Sequence, residues 1–172
     1  MKLWTSIILS TLTLPFFIGC GSSVKKMTVS DTTLENKHPY SVKVEVTGWE
    51  KIGKLQTSGL SNERYAQTLT NSIKNTGLFK DVIDNGSDYK LKVTVLEHIL
   101  PAHVGDFDLQ LKTNWQLTDT TGKVIWTDTI ASVYTSKLID ELTTFDRLQK
   151  ANENLTKINI GDGLKNLSQL KL

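Results

Sequence analysis

The chain has very little cysteine: Cys20 is the only one among its 172 residues. A single cysteine cannot form an intramolecular disulfide, which excludes a small disulfide-linked scaffold. The length excludes a second full domain, because 172 residues with 38% hydrophobic and 22% charged side chains fit one globular domain plus some processed or flexible sequence. Because Cys20 has no second cysteine to pair with in the chain, it must serve a chemical role other than an intramolecular disulfide.

Neither sign of charge dominates the sequence. The chain has 20 Lys and Arg against 18 Asp and Glu, a formal net charge of +2, and these residues are spread along its length. Proteins that bind nucleic acids usually concentrate Lys and Arg on one face or in one stretch. We therefore expect no nucleic-acid partner.

The sequence also lacks the motifs that place reactive groups in a known context. No glycine-rich phosphate loop, nucleophile elbow or zincin motif occurs, and no cysteine follows Cys20. Imidazole and carboxylate groups around Pro101 could bind zinc, but their spacing matches no recognised metal motif; they belong to His98, His103, Asp106 and Asp108. A Ser/His/Asp triad meets only in space and stays open at this point. We expect a non-enzymatic protein without catalytic residues, metal or cofactor.

The first nineteen residues have the pattern of a cleavable secretory signal. Lys2 provides a positive start, residues 3–18 form an apolar run with scattered Thr and Ser, and the small Gly19 follows. A transmembrane helix is the alternative, but the run is shorter than the ~20 apolar residues that a span needs, and Pro15 lies inside it. We predict that residues 1–19 are a signal peptide.

The residues before Cys20 resemble the lipobox of bacterial lipoproteins. In Phe17-Ile18-Gly19-Cys20 a small residue precedes the cysteine, which in that family is acylated and becomes the new N-terminus; Phe17 stands where leucine is usual. The resemblance implies that lipid on Cys20 holds the protein to a membrane, since two or more acyl chains attach stably. By the sorting rule of enterobacterial lipoproteins, Gly21 and Ser22, with no aspartate, favour the outer membrane.

A flexible tether is predicted between the anchor and the domain. Residues 21–39 are polar, aperiodic and poor in aromatics. As a random coil these residues would span roughly 25 Å. Residues 20–39 are therefore assigned to the lipidated cysteine and tether, and residues 40–172 to a single periplasmic domain that stands clear of the bilayer.

Strands are predicted where apolar and polar residues alternate, at 40–46, 89–95, 107–117 and 124–130. A shorter candidate covers residues 79–83, and Asn85-Gly86 is a turn signal. The turn at Asp119–Gly122 joins the last two strands into an antiparallel hairpin.

Two helices are predicted. Ser61 caps the first and Gly77 ends it, with one face formed by Tyr65, Ala66, Leu69 and Ile73. Thr143 starts a second helix at 144–160, with one face formed by Phe145, Leu148, Ala151, Leu155 and Ile158. At Gly161-Asp162-Gly163 this helix either kinks or ends before a short helix carrying Leu164, Leu167 and Leu170. The order of elements predicts an α+β fold, a mainly antiparallel sheet of about four to five strands with two helices on one face.

This domain resembles a loose group of small envelope lipoproteins that includes PelC, YajG and auxiliary lipoproteins of ABC-type transport systems. The segments that carry the resemblance are "YAQTLTNSIKNTGLF", "SDYKLKVTVLEH", "LQLKTNWQLTDTTGKVIWTDTI" and "ANENLTKINIGDGLKNL". The resemblance implies a non-catalytic assembly component, and the group supplies no catalytic residue to carry over.

Three tryptophans follow the signal segment. Trp115 and Trp126 flank the hairpin turn and are expected to be core partners across it. Trp49, next to Gly48 at a strand end, either packs in the core or marks an edge that binds a partner. The leucines of residues 164–170 likewise either pack on the sheet or offer a helix to a partner or a second copy.

These observations predict a lipid-anchored periplasmic accessory or scaffold subunit of a cell-envelope complex, which binds protein partners or further copies of itself. The alternative is a periplasmic carrier or sensor of a small or lipidic ligand, with an envelope hydrolase as a more distant one. An apolar cavity between helix and sheet would favour the carrier.

Overall fold

The computed structural model describes residues 23–51, 59–100, 105–141 and 143–172. The strands are β1 His38–Thr47, β2 Phe79–Val82, β3 Tyr89–Ile99, β4 Phe107–Asp119 and β5 Val124–Ser136. The α-helices are α1 Val24–Met27, α2 Asn62–Thr76 and α3 Thr144–Ser168, and a single 3-10 turn, Trp49–Lys51, follows β1. The predicted α+β class with a five-stranded sheet is confirmed.

The sheet is mixed and has the strand order β2-β1-β3-β4-β5. β1 is parallel to both of its neighbours, so that Val42 pairs with Val82 on one side and with Tyr89 on the other. The two longer pairings, β3 with β4 and β4 with β5, are antiparallel. The chain around Asn85-Gly86 therefore passes from one side of β1 to the other instead of closing a hairpin.

One face of the sheet carries the core. Along β4 every second side chain from Phe107 to Leu117 is buried, whereas those between them are exposed or half-buried. This alternation is the pattern of a sheet that packs on one face and meets water on the other. Helices α2 and α3 cover the apolar face: α2 packs on β1 and β2, and α3 on β4 and β5.

Helix α2 begins and ends where the sequence predicts. The Ser61 hydroxyl accepts a hydrogen bond from the Arg64 N–H, 3.2 Å away, and Leu60 and Tyr65 are both buried on either side of this cap. At the other end Gly77 has a φ of +64°, and the Leu78 N–H bonds to the Ile73 carbonyl as in a Schellman motif.

Helix α3 is continuous through both of its glycines. Thr143 caps it as predicted, its hydroxyl oxygen accepting from the Asp146 N–H at 3.0 Å. The helix does not end at Gly161 but runs on to Ser168. The predicted inward face is wrong at Phe145 and Ile158, which are 45% and 39% exposed. Polar residues take inward positions instead: Asn152, Thr156 and Asn159 are all buried. Asn152 and Asn159 bond to side chains of other elements.

The predicted tether is wrong from Ser23 onward, because these residues are part of the packed domain. Met27 is fully buried and Val29 is 4% exposed, and α1 lies against both α2 and α3. The Val29 N–H bonds to the Ser72 hydroxyl at 2.9 Å, and the Asn36 N–H bonds to the Ser168 carbonyl at 3.1 Å. Buried apolar side chains and these hydrogen bonds together hold the segment on the domain. None of the helices in the described ranges is both long and apolar enough to cross a membrane.

Candidate functional site

The residue predicted to carry lipid, Cys20, lies outside the described residues, as does the lipobox-like segment before it. The structure nevertheless fixes the chain three positions later. The Ser23 N–H donates to Oε1 of Glu153 at 2.7 Å, and Lys26 Nζ lies 3.5 Å from Oε2 of the same carboxylate. The chain is therefore fixed at Ser23 against Glu153, in the first half of α3.

The histidines and aspartates around Pro101 do not converge in the structure. His98 is 8% exposed and faces the helices, with Nε2 2.8 Å from Oδ1 of Asn152. Asp108 is exposed on the opposite face and accepts from the Thr135 hydroxyl, while Asp106 accepts from the Leu138 N–H. His103 lies outside the described residues. Within the described ranges, no group of three His, Cys, Asp or Glu side chains is arranged to hold a metal ion.

Burial governs the chemistry of His98. Loss of hydration lowers the pKa of its imidazole, and this effect outweighs the opposing hydrogen bond to Oδ1 of Asn152. The ring is therefore neutral near pH 7. A neutral, buried ring bonded to an amide is a structural element of the core.

Trp49, proposed as a residue of a partner-binding edge, is buried. It is 4% exposed, and its ring lies 5.2 Å from that of His98 in an edge-on arrangement and 6.5 Å from that of Tyr65. The indole thus packs in the core and presents no exposed edge. Trp115 is fully buried as expected, whereas Trp126, opposite Leu117, is only partly buried at the margin of the core.

Asn159 organises a buried polar network that the sequence analysis missed. Its Oδ1 accepts from the Tyr65 hydroxyl and the Thr113 hydroxyl, each at 2.8 Å, and its Nδ2 donates to Ser132 Oγ at 3.1 Å. Trp115 Nε1 donates to Thr113 Oγ1 at 2.9 Å. Burial raises the pKa of Tyr65, which keeps the phenol protonated as a donor. The network joins both long helices to β4 and β5. In the sequence, the feature that indicates it is the polar Asn159 at an inward position of α3.

Large side chains occupy the space between helices and sheet in the described part of the chain. Trp115, Tyr65, Leu69 and Leu111 are among the side chains that occupy it with 0–1% exposure. A groove of about 490 Å³ lies instead on the outer side of α3, lined by Lys26, Glu141, Asp146, Gln149, Lys150, Glu153 and Asn154. Four of its charged residues form two ion pairs: Lys150 lies 2.8 Å from Glu141, and Lys26 lies 3.5 Å from Glu153. We call this surface the N-terminal groove.

Strand β5 forms a long free edge of the sheet. It has 13 residues and, in the described structure, pairs on one side only, with β4. Val124 and Val133 are 47% and 55% exposed, and Asp128 is the single charged residue of the strand. The opposite edge, β2, has only four residues. An edge that is long, apolar and nearly uncharged is a template for pairing with another chain.

A second exposed apolar feature follows β5. Leu138 is 57% exposed, Ile139 is 88% exposed, and Phe145 in the first turn of α3 is 45% exposed. We call these three residues the apolar tip. These three residues lie close together in the sequence, and exposed apolar surface often marks contact with a partner or a membrane.

Solved structures share this fold at low sequence identity. Protein XCC0632 from Xanthomonas campestris, described by the family model DUF330, is 11% identical, with a TM-score of 0.61 over 80% of this chain and 93% of that chain. The hypothetical protein CT253 from Chlamydia trachomatis is 8% identical, with a TM-score of 0.53 over 73% and 96%. The PelC dodecamer from Paraburkholderia phytofirmans is 15% identical, with a TM-score of 0.49 over 78% and 92%.

At these identities the similarity to protein XCC0632 and to CT253 shows the fold alone. No protein-family model matches the chain, and no curated protein matches its sequence.

Proposed function

We propose that this protein is a lipid-anchored periplasmic accessory or scaffold subunit of a cell-envelope complex, held to the outer membrane through Cys20 and acting by binding protein. The observation that carries the binding role is the free edge of β5. Unpaired backbone N–H and C=O groups along such an edge can accept a strand from a partner or from a second copy of the chain. The described surface offers no comparable arrangement of reactive groups, and we propose that the protein has no catalytic activity.

The composition of β5 supports this role. Natural edge strands are usually protected by charged residues, proline or bulges. The one charge here, Asp128, lies opposite buried Trp115, and its Oδ2 accepts from Asn166 Nδ2 of α3 at 2.8 Å. The carboxylate is thus bound on the helix side. On the solvent side Ala131 and Val133 are exposed and uncharged.

Lysine on the solvent side of β5 tests the proposal. Ala131→Lys combined with Val133→Lys should abolish the crosslinking of partner proteins to the protein in intact membranes, read by mass spectrometry, because a charged edge resists strand pairing. The control adds the same charge at two exposed turn positions, Asn85→Lys with Thr121→Lys, and should crosslink as the wild type does. If the β5 variant is folded and crosslinks the same partners as the control, the free edge is not the binding surface.

A further inference from the structure

The distance between the proposed lipid and the folded domain is very short. Only Gly21 and Ser22 separate Cys20 from Ser23, whose N–H is fixed on Glu153. Three extended residues span at most about 11 Å. The Glu153 side chain is 4% exposed and is further bound by Lys26, so the attachment point is part of the packed surface. A domain attached so closely cannot tumble freely above a bilayer.

The apolar tip lies on the side of the molecule where the chain emerges. Phe145, Gln149 and Glu153 are spaced by four residues along α3 and therefore share one face, with about 12 Å of helix axis between the first and the last. Ile139 is two residues before Glu141, which forms an ion pair with Lys150 in the same groove. The N-terminal groove thus connects the emergence point of the chain with the tip.

We propose that Leu138, Ile139 and Phe145 contact the surface of the bilayer that holds the Cys20 lipid, and so orient the domain on the membrane. This inference rests on the proposed lipidation of Cys20. We identify the bilayer as the contact surface because the link between Cys20 and Ser23 is short. A link of this length keeps these three residues close to the membrane that holds the lipid.

The charges around the tip indicate the type of contact. Lys26 and Lys150 are each paired with a glutamate. The exposed Lys137, next to Leu138, is offset by Asp106, Asp140 and Asp146, so this side has no cluster of positive charge. Attraction to anionic headgroups requires clustered Lys and Arg. The contact is therefore insertion of apolar side chains at the boundary between headgroups and acyl chains, and it is independent of lipid charge.

The orientation places the other end of the sheet far from the membrane. β5 ends at Ser136, next to the tip, and begins at Val124, about 40 Å away along a strand of this length. The exposed turn at Thr121 lies at that distant end. It is the natural control position for a test of depth.

A fluorophore that senses membrane depth tests the proposal. Because Cys20 is the only cysteine and its sulfur carries the lipid, Ile139→Cys adds a thiol that NBD labels selectively. The purified lipoprotein is placed in phosphatidylcholine vesicles, with and without doxyl-labelled lipid as quencher. We expect a blue-shifted emission and strong quenching at position 139, and neither for NBD on Thr121→Cys. Vesicles that contain phosphatidylglycerol should give the same result.

Three outcomes would overturn the proposal. Equal quenching at both positions on vesicle-bound protein would contradict the proposed orientation but would be consistent with the lipid anchor. A blue shift at 139 that persists in detergent-solubilised protein, without quenching by lipid, would show that a second copy or another protein covers the tip. Protein that fails to sediment with vesicles and lacks the mass of the lipid at Cys20 would contradict the anchor itself, and the proposed function with it.

Discussion

Gly163 of α3 lies directly against the indole of Trp115 on β4. A Cβ atom built on residue 163 would come within 2.6 Å of both Cε2 and Cη2 of the tryptophan, closer than any real Cβ approaches another heavy atom. The absence of a side chain therefore lets the helix approach the largest buried ring of the core. This glycine, which the sequence predicts to kink or end the helix, is a packing residue inside a continuous helix.

Gly163→Ala should destabilise the protein by about 2 kcal/mol. The steric clash with a fully buried ring destabilises the fold by more than the higher helix propensity of alanine stabilises it. Urea unfolding followed by tryptophan fluorescence measures the change. Gly161→Ala is the matched control: its Cβ would meet Thr32 and Val29 at 3.8–4.0 Å, ordinary contact distances. That variant should be as stable as the wild type or more stable by up to about 1 kcal/mol. Equal effects of the two substitutions would contradict the contact with Trp115.

The buried imidazole of His98 should make stability fall in acid. Burial holds its pKa in the folded state below the usual 6.5, so the unfolded chain binds more protons as the pH falls below that value. The free energy of unfolding should therefore decrease between pH 7 and pH 5, by at most ~1.4 kcal/mol per pH unit from this group. His98→Gln should reduce this slope. Part of the slope should remain in the variant, because burial also lowers the pKa of His38. A slope unchanged by the substitution would show that folding does not lower the pKa of His98.

Met27 should contribute to stability as a core residue, although it lies in a polar stretch. Its side chain is fully buried between α2 and α3. Met27→Ala should cost about 3 kcal/mol in unfolding free energy, whereas Lys25→Ala, at an exposed position of the same short helix, should change it by less than about 0.5 kcal/mol. If both variants unfold at the wild-type urea concentration, the segment does not pack on the domain in solution.

The sequence predicts the elements whose determinants are local. Ser61 and Gly77 bound α2 because a cap hydroxyl and a left-handed glycine act within one turn of the chain. The β4–β5 hairpin follows from alternation on both sides of a turn. The parallel placement of β1 between β2 and β3 depends on contacts across 40 residues or more, which no local pattern encodes.

The candidate surfaces were less predictable for a related reason. Asn159 is polar, and its inward position becomes favourable only because Tyr65, Thr113 and Ser132 supply partners from three other elements. Trp49 could pack inward or outward, and the ring of His98 decides the outcome. The residues after Ser23 are mostly polar, which is typical of a tether, but buried apolar side chains such as Met27 and the hydrogen bonds of the segment hold it on the domain.

Fractionation of a Cys20→Ser variant tests the lipid anchor, on which both the proposed function and the proposed orientation depend. The wild-type protein should sediment entirely with membranes and should show, by mass spectrometry, an N-terminal peptide that begins at a lipid-modified Cys20. The serine variant cannot be acylated there and should appear in the soluble periplasmic fraction with its β5 edge and core intact. A variant that remains tightly bound to membranes, or a wild-type peptide without lipid on Cys20, would contradict the account.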